Sequence, residues 1–162
     1  MYAQSLIINL NDAKEELNYL KFHFGYFKLE NPFKKDCKFL DIGCGEGHLM
    51  KYLKTKGINP KGIDMNNVSP YRDLEIFLGD FHSLPFEDDY FDLIWSYGIY
   101  CPRYSNNSDK ILDEALRVLK PKGKYLIKDA DIPENLDKLA NSRIIFKMSN
   151  YIMLEKDSLI SS

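Results

Sequence analysis

The chain has no cysteines at Cys-x-x-Cys spacing. Its three, Cys37, Cys44 and Cys101, are odd in number and have no histidine beside them at metal-ligand spacing. That argues against a disulfide scaffold or a structural zinc site, and fits a reducing compartment, read as the cytoplasm. No apolar run approaches the roughly 18 residues that suggest a membrane span. The opening "MYAQSLIINLNDAKEEL" meets Asn and acids too early for a secretory signal, and its Met suggests a complete chain. Neither sign of charge dominates, with 22 basic residues against 24 acidic, so composition gives no ground for a nucleic acid or membrane partner. Repeats and low-complexity linkers are also lacking. A chain of 162 residues is therefore expected to form one domain, 1–162, able to bury roughly 68–70% of its unfolded surface.

What is present alternates between strand and helix. Residues 11–28 place Leu17, Leu20, Phe24 and Phe27 at helical spacing behind Asn11 or Asp12 as cap, with a break expected near Gly25. "CKFLDIG" reads as a buried strand, "GHLMKYLKTKG" as a helix closed by Gly57, and "PKGID" and "EIFLGD" as the next two strands. "FDLIWSYG" is a fourth strand, "NSDKILDEALRVLK" a helix, "PKG" a turn and "KYLIKDA" a fifth strand. A helix at "PENLDKLANS" and an antiparallel hairpin of "RIIFKMS" and "YIMLEKD" complete the chain. Such alternation points to an α/β protein with a parallel sheet.

A glycine-rich turn between a strand and a helix brings a ligand against bare backbone. A dinucleotide fingerprint would need its third glycine at position 48, which is His48; the glycines here are Gly43, Gly45 and Gly47, preceded by Asp41. The pattern D-x-G-x-G-x-G resembles motif I of the class I S-adenosylmethionine-dependent methyltransferases. "GIDM" supplies an acid, Asp64, about where that family places its ribose ligand. "GDFHSLPFEDDYFDLIWS" supplies Asp80 where the family holds the adenine, and "LDEALRVLKPKGKYLI" is similar to the family's helix before its fifth strand. The resemblance is to the small, ubiquinone-biosynthesis-like members, over about residues 39–128.

The resemblance implies a Rossmann-like three-layer sandwich. Its mostly parallel seven-stranded sheet would have order 3-2-1-4-5-7-6 with strand 7 antiparallel, in a core spanning 37–157 behind an N-terminal helical lid region, 1–36. It also implies S-adenosylmethionine as cofactor, S-adenosylhomocysteine as product and no metal. Asp41, Gly43, Cys44, Gly45 and Gly47 would shape the cofactor pocket. Asp64 would bind the ribose, Met65, Asp80 and Phe81 the adenine, and Ser96 the methionine end through its backbone. Only fifteen residues separate Asp64 from Asp80, so the second crossover helix should shrink to one turn at Ser69 to Tyr71.

Methyl transfer is an in-line displacement at a carbon already activated by a sulfonium, and aligning the acceptor can supply roughly 7–11 kcal/mol. The stretch after the fourth strand, "SYGIYCPRYSNNS", offers Tyr97, Tyr100 and Tyr104 as an aromatic wall but no acid or histidine as base. His23 on the N-terminal helix is the better candidate base. The expected function is methyl transfer to an unidentified small-molecule O, N or C acceptor. The alternative is a catalytically weak or inactive methyltransferase-like subunit that binds and activates a protein partner; homodimerisation is left open.

Overall fold

The computed structural model describes residues 9–66, 68–102, 107–132, 136 and 141–158. In chain order they form α1 (Leu10–Tyr26), β1 (Lys38–Ile42), α2 (His48–Lys54), β2 (Asn59–Asp64), β3 (Glu75–Leu78), β4 (Phe91–Tyr97), α3 (Ser108–Val118), β5 (Leu119–Lys128), β6 (Ser142–Met148) and β7 (Tyr151–Lys156). The strands make one seven-stranded sheet of order β3-β2-β1-β4-β5-β7-β6. β1 to β5 pair in parallel, while β7 runs antiparallel to both β5 and β6. Both the order and the antiparallel strand match the expectation.

Alternation along each strand sorts side chains into two cores, one on each face of the sheet. Leu40, Ile42, Ile94, Tyr125, Ile127 and Ile152 join Ile111, Leu112 and Ala115 of α3 on one face. Phe39, Leu93, Trp95, Leu126 and Met153 meet Leu17, Leu20 and Phe24 of α1 and Leu49 and Leu53 of α2 on the other. Each fully buried Leu or Phe contributes about 1.5–3 kcal/mol, so α1 is held as a layer of the sandwich by its own apolar stripe.

Several local expectations change. The cap of α1 is Asn9, in extended conformation at φ −158°, whose side chain accepts from the amides of Asn11 and Asp12. The helix passes through Gly25 unbroken and ends at Tyr26, leaving Phe27 exposed. Gly57 closes α2 as expected: at φ 75° its amide bonds Lys54 C=O and the Ile58 amide bonds Leu53 C=O. Among the described residues of 65–74 there is no helical turn; Ser69 Oγ instead accepts from the Tyr71 amide and donates to Glu46 C=O. Ten residues are too few for the usual helical crossover between parallel strands. "PKG" is not a turn before β5 but a bulge within it: pairing steps from Phe91↔Leu119 to Leu93↔Lys124, and Lys122 takes φ 63°. The helix expected at 133–142 falls largely outside the described residues, and Ser142 begins β6.

Arg117, at the end of α3, ties down the loop after β3. Its guanidinium donates to Glu114, Asp88 and the carbonyls of Leu84 and Phe86, all at 2.7–2.9 Å, while Glu114 also accepts from the Leu84 amide. Arg117→Met takes the guanidinium donor from two carbonyls and two carboxylates. It should lower unfolding stability by about 3 kcal/mol, read from a urea midpoint. A loss below about 1 kcal/mol would mean the loop holds itself.

Candidate active site

The C-terminal ends of β1 and β2 lie side by side, and the turn leaving β1 carries three glycines at positive φ: Gly43 at 77°, Gly45 at 53° and Gly47 at 81°. Side chains are strained in that region, and at two of the three positions there is also no room. A Cβ on Gly43 would lie 2.6 Å from Ile99 Cγ2, and one on Gly47 2.8 Å from Leu74 Cδ1. Beside Gly45 nothing lies within 4 Å. The turn is closed on its protein side and open at its middle glycine.

Backbone bonds fix this turn to β2. The Gly43 and Cys44 amides reach Ile63 C=O at 2.8 and 3.2 Å, and the Gly45 amide donates to Asp64 Oδ2 at 2.8 Å. The Asn66 amide donates to Asp64 Oδ1 at 2.9 Å, so both oxygens of that carboxylate are oriented by backbone. Asp80, beyond β3, is held below the usual carboxylate range by the backbone amide and then the ring of His82, at 2.8 and 2.6 Å. Its side chain is 65% exposed.

Asp41 is buried on the α2 face of β1, and burial, followed by the charge of Asp64, pushes its carboxyl up to about 8. It lines a recess of about 10 Å³, room for about one water, with His48, Trp95 and Tyr97 among its neighbours. His48 donates through Nε2 to Glu46, and its Nδ1 meets the Tyr71 hydroxyl, both at 2.8 Å. The same burial raises the Cys44 thiol, which therefore stays protonated.

The other expected residues separate by strand parity. Ser96 faces the α3 core, where its hydroxyl meets Tyr125 Oη at 2.8 Å, and Tyr100 Oη joins the same buried network at 2.9 Å. Tyr100 is 4% exposed and its phenol is raised, by burial first, so it is a core residue turned away from any acceptor wall. Phe81 is buried, its ring 3.7 Å from where a Gly43 Cβ would stand, and Met65 is half exposed. Tyr104 lies outside the described residues. His23 donates through Nδ1 to Tyr19 C=O at 2.8 Å, and its ring lies 4.2 Å from that of Tyr19, tilted by 45°, an arrangement internal to α1.

Tyr97 faces the α1 side, and the register explains its company: Tyr97 pairs with Lys128, and Lys128 with Tyr151, in one row across β4, β5 and β7. Lys128 Nζ stands 4.5 Å from the Tyr97 ring centre and 5.1 Å from that of Tyr151, and donates to Glu16 Oε2 at 2.7 Å. The Tyr151 hydroxyl donates to Glu16 Oε1 at 2.5 Å, and burial, then Glu16, raises that phenol. Sequence reasoning missed this cluster because it looked for acids only after the fourth strand. The signal was present in α1, where Asp12, Glu15, Glu16 and Tyr19 recur at intervals of three, one and three along one face.

A family model described as a methyltransferase domain matches residues 40–127, more than half of the chain. The chain belongs to the class I S-adenosylmethionine-dependent methyltransferases. It is 33% identical over 123 residues to the sterol 4-C-methyltransferase strm-1 of Caenorhabditis elegans, covering 68% of this chain and 36% of that protein. It is 30% identical over 107 residues to a glycine/sarcosine/dimethylglycine N-methyltransferase of Actinopolyspora halophila, covering 58% of this chain and 19% of that one. A crystal structure of a SAM-dependent methyltransferase from Aquifex aeolicus superposes with a TM-score of 0.60 over 91% of this chain and 97% of that one; at 16% identity the likeness is one of fold. The chain spans less than half the length of the curated relatives it matches.

The family's methyl donor fits this methyltransferase domain on two counts. The open side of Gly45 admits a ligand against backbone. The Asp64 carboxylate beside it is positioned by two amides yet keeps lone pairs able to accept further hydrogen bonds. Among the described residues no group of three or more His, Cys, Asp or Glu could hold a metal ion, and no helix is long and apolar enough to cross a membrane.

Proposed function

We propose that the protein transfers the methyl group of S-adenosylmethionine to a small-molecule acceptor. The observation that carries this reading is the Gly45–Asp64 pair: a left-handed glycine open to a ligand, its amide 2.8 Å from a carboxylate at the end of the neighbouring strand. Asp64 would hold the ribose, Asp80 and Met65 the adenine, and Asp41 and the Ser96 backbone would flank the methionine end. The donor supplies a methyl carbon already activated for displacement. The chain's task is to align the acceptor and exclude competing water.

Calorimetric titration with S-adenosylmethionine and S-adenosylhomocysteine, with NAD as comparison, tests the reading. Micromolar binding of the first two and none of NAD is expected. Asp64→Ala removes a charged acceptor and should weaken donor binding by about 1.5–3 kcal/mol, roughly ten- to over a hundred-fold. An unchanged affinity would remove the ribose from Asp64. The alternative, a catalytically weak or inactive methyltransferase-like subunit that binds and activates a protein partner, draws support from Met65, Val68 and Leu78, exposed by 49%, 58% and 69% along the connection from β2 to β3 and the end of β3. It predicts weak donor binding or none.

A further inference from the structure

The connection from β2 to β3 stands where a crossover helix would, and among the described residues of 65–74 it is held by bonds that run through side chains. Ser69 Oγ reaches Glu46 C=O at 2.8 Å. The Tyr71 hydroxyl meets His48 Nδ1 at 2.8 Å, and the two rings lie edge to face with centres 5.5 Å apart. The Asp73 carboxylate accepts from Lys51 Nζ at 2.8 and 2.9 Å, and Lys54 Nζ reaches the Asp73 carbonyl at 2.6 Å. Every one of these tethers lands on the glycine turn or on α2, so the connection takes its shape from the neighbouring helix.

Burial ranks them. Asp73 is 49% exposed and its two lysines 31% and 45%, so water and salt weaken those pairs. Glu46 is 54% exposed, which leaves its contact with His48 Nε2 little net strength. The His48 side chain is only 10% exposed and Tyr71 is half-buried, so the bond between them is the tether best shielded from water. With both ring nitrogens occupied, His48 has none left to take a proton from an acceptor, and its part is to position.

What it positions is Asp64. One oxygen of that carboxylate accepts from the Gly45 amide in the turn, the other from the Asn66 amide at the start of the connection. The bonds form a circuit: Asp64 joins turn to connection, and Tyr71 returns the connection to His48, the first residue of α2. Released from His48, the connection keeps only exposed tethers, and the Asn66 amide loses its fixed place against Asp64. We infer that His48, acting through Tyr71, is a positioning residue for the methyl donor, holding the Asp64 carboxylate in the orientation that receives the ribose hydroxyls; this rests on the donor reading above.

Affinity for S-adenosylhomocysteine, measured by calorimetry on the full chain, tests it. His48→Gln places an amide near the position of Nε2 and gives up the bond to Tyr71, whereas His48→Asn places one near that of Nδ1 and keeps it. Tyr71→Phe and His48→Gln should each weaken binding about tenfold, and His48→Asn by no more than about twofold. A double-variant cycle reads the route through Asp64: in an Asp64→Ala background Tyr71→Phe should cost less than about twofold, because the carboxylate it orients is gone. The Tm of each ligand-free variant should stay within about 5 °C of the parent. Undiminished affinity in Tyr71→Phe or His48→Gln, equal losses in His48→Asn and His48→Gln, or a full tenfold loss in the Asp64→Ala background would each overturn the inference. So would a collapsed Tm in Tyr71→Phe and His48→Gln, which makes the bond structural. Failure of S-adenosylhomocysteine to bind the parent would instead sink the donor reading and this one with it.

Discussion

Gly45→Arg is expected to weaken S-adenosylmethionine binding at least a hundred-fold, about 2.8 kcal/mol or more, with only a small loss of stability. The asymmetry comes from where the new side chain must go. A Cβ at Gly45 meets nothing within 4 Å, so an arginine projects into the open side of the turn without displacing protein. The cost to the fold is chiefly the left-handed conformation at φ 53°, about 1–2 kcal/mol for a residue with a side chain. Binding loses far more, because the guanidinium fills the space from which a ligand would approach the backbone. The same change at Gly43 would be uninterpretable, since there a Cβ already lies 2.6 Å from Ile99 Cγ2 and the core must move. Thermal melting beside calorimetry checks both halves: intact donor affinity in Gly45→Arg would place the ligand elsewhere, and a collapsed Tm would make the turn structural.

Strands and helices with a strong apolar pattern were legible in the sequence because local periodicity and burial agree there. β1, β4 and α3 read as "KFLDI", "FDLIWSY" and "SDKILDEALRV" once their faces are separated. Elements set by tertiary context were not. Asn9 caps α1 from within an apolar-flanked stretch, so the eye falls on Asn11 and Asp12 instead. The bulge at 120–123 satisfies strand pairing on both sides of a turn-like tripeptide. At the site, the glycine turn and its acids were legible because each ends a strand, where a motif and a location coincide. The cluster of Glu16, Lys128 and Tyr151 was not, because its members come from α1, β5 and β7 and meet only through sheet register. Parity alone separates Tyr97, beside Lys128, from the neighbouring Ser96 that faces the opposite core.

The same register carries the last expectation, which concerns Asp41. Its parity sends the carboxyl toward α2, where it is 3% exposed, and burial followed by the Asp64 charge raises its folded-state pKa to about 8. In the unfolded chain an aspartate titrates near its usual value of about 3.9. Between those limits the folded state holds the extra proton. Stability from this group is therefore fully present below about pH 4 and is lost as pH rises through 8, by at most about 1.4 kcal/mol per pH unit. Asp41→Asn keeps the shape and removes the titration, so its Tm should hold while that of the parent falls between pH 5 and 8. On the order of 3 kcal/mol is expected across that range, or about 6–12 °C for a chain of this size. Donor binding should report the same proton from the other side. A sulfonium and an ammonium brought near Asp41 favour its ionised form, so binding at pH 7 should release up to one proton and tighten toward pH 8. Calorimetry in two buffers of different ionisation enthalpy measures that proton directly. Its presence in the parent and absence in Asp41→Asn would tie the buried acid to the methyl donor; equal proton release in both would assign the titration to another group.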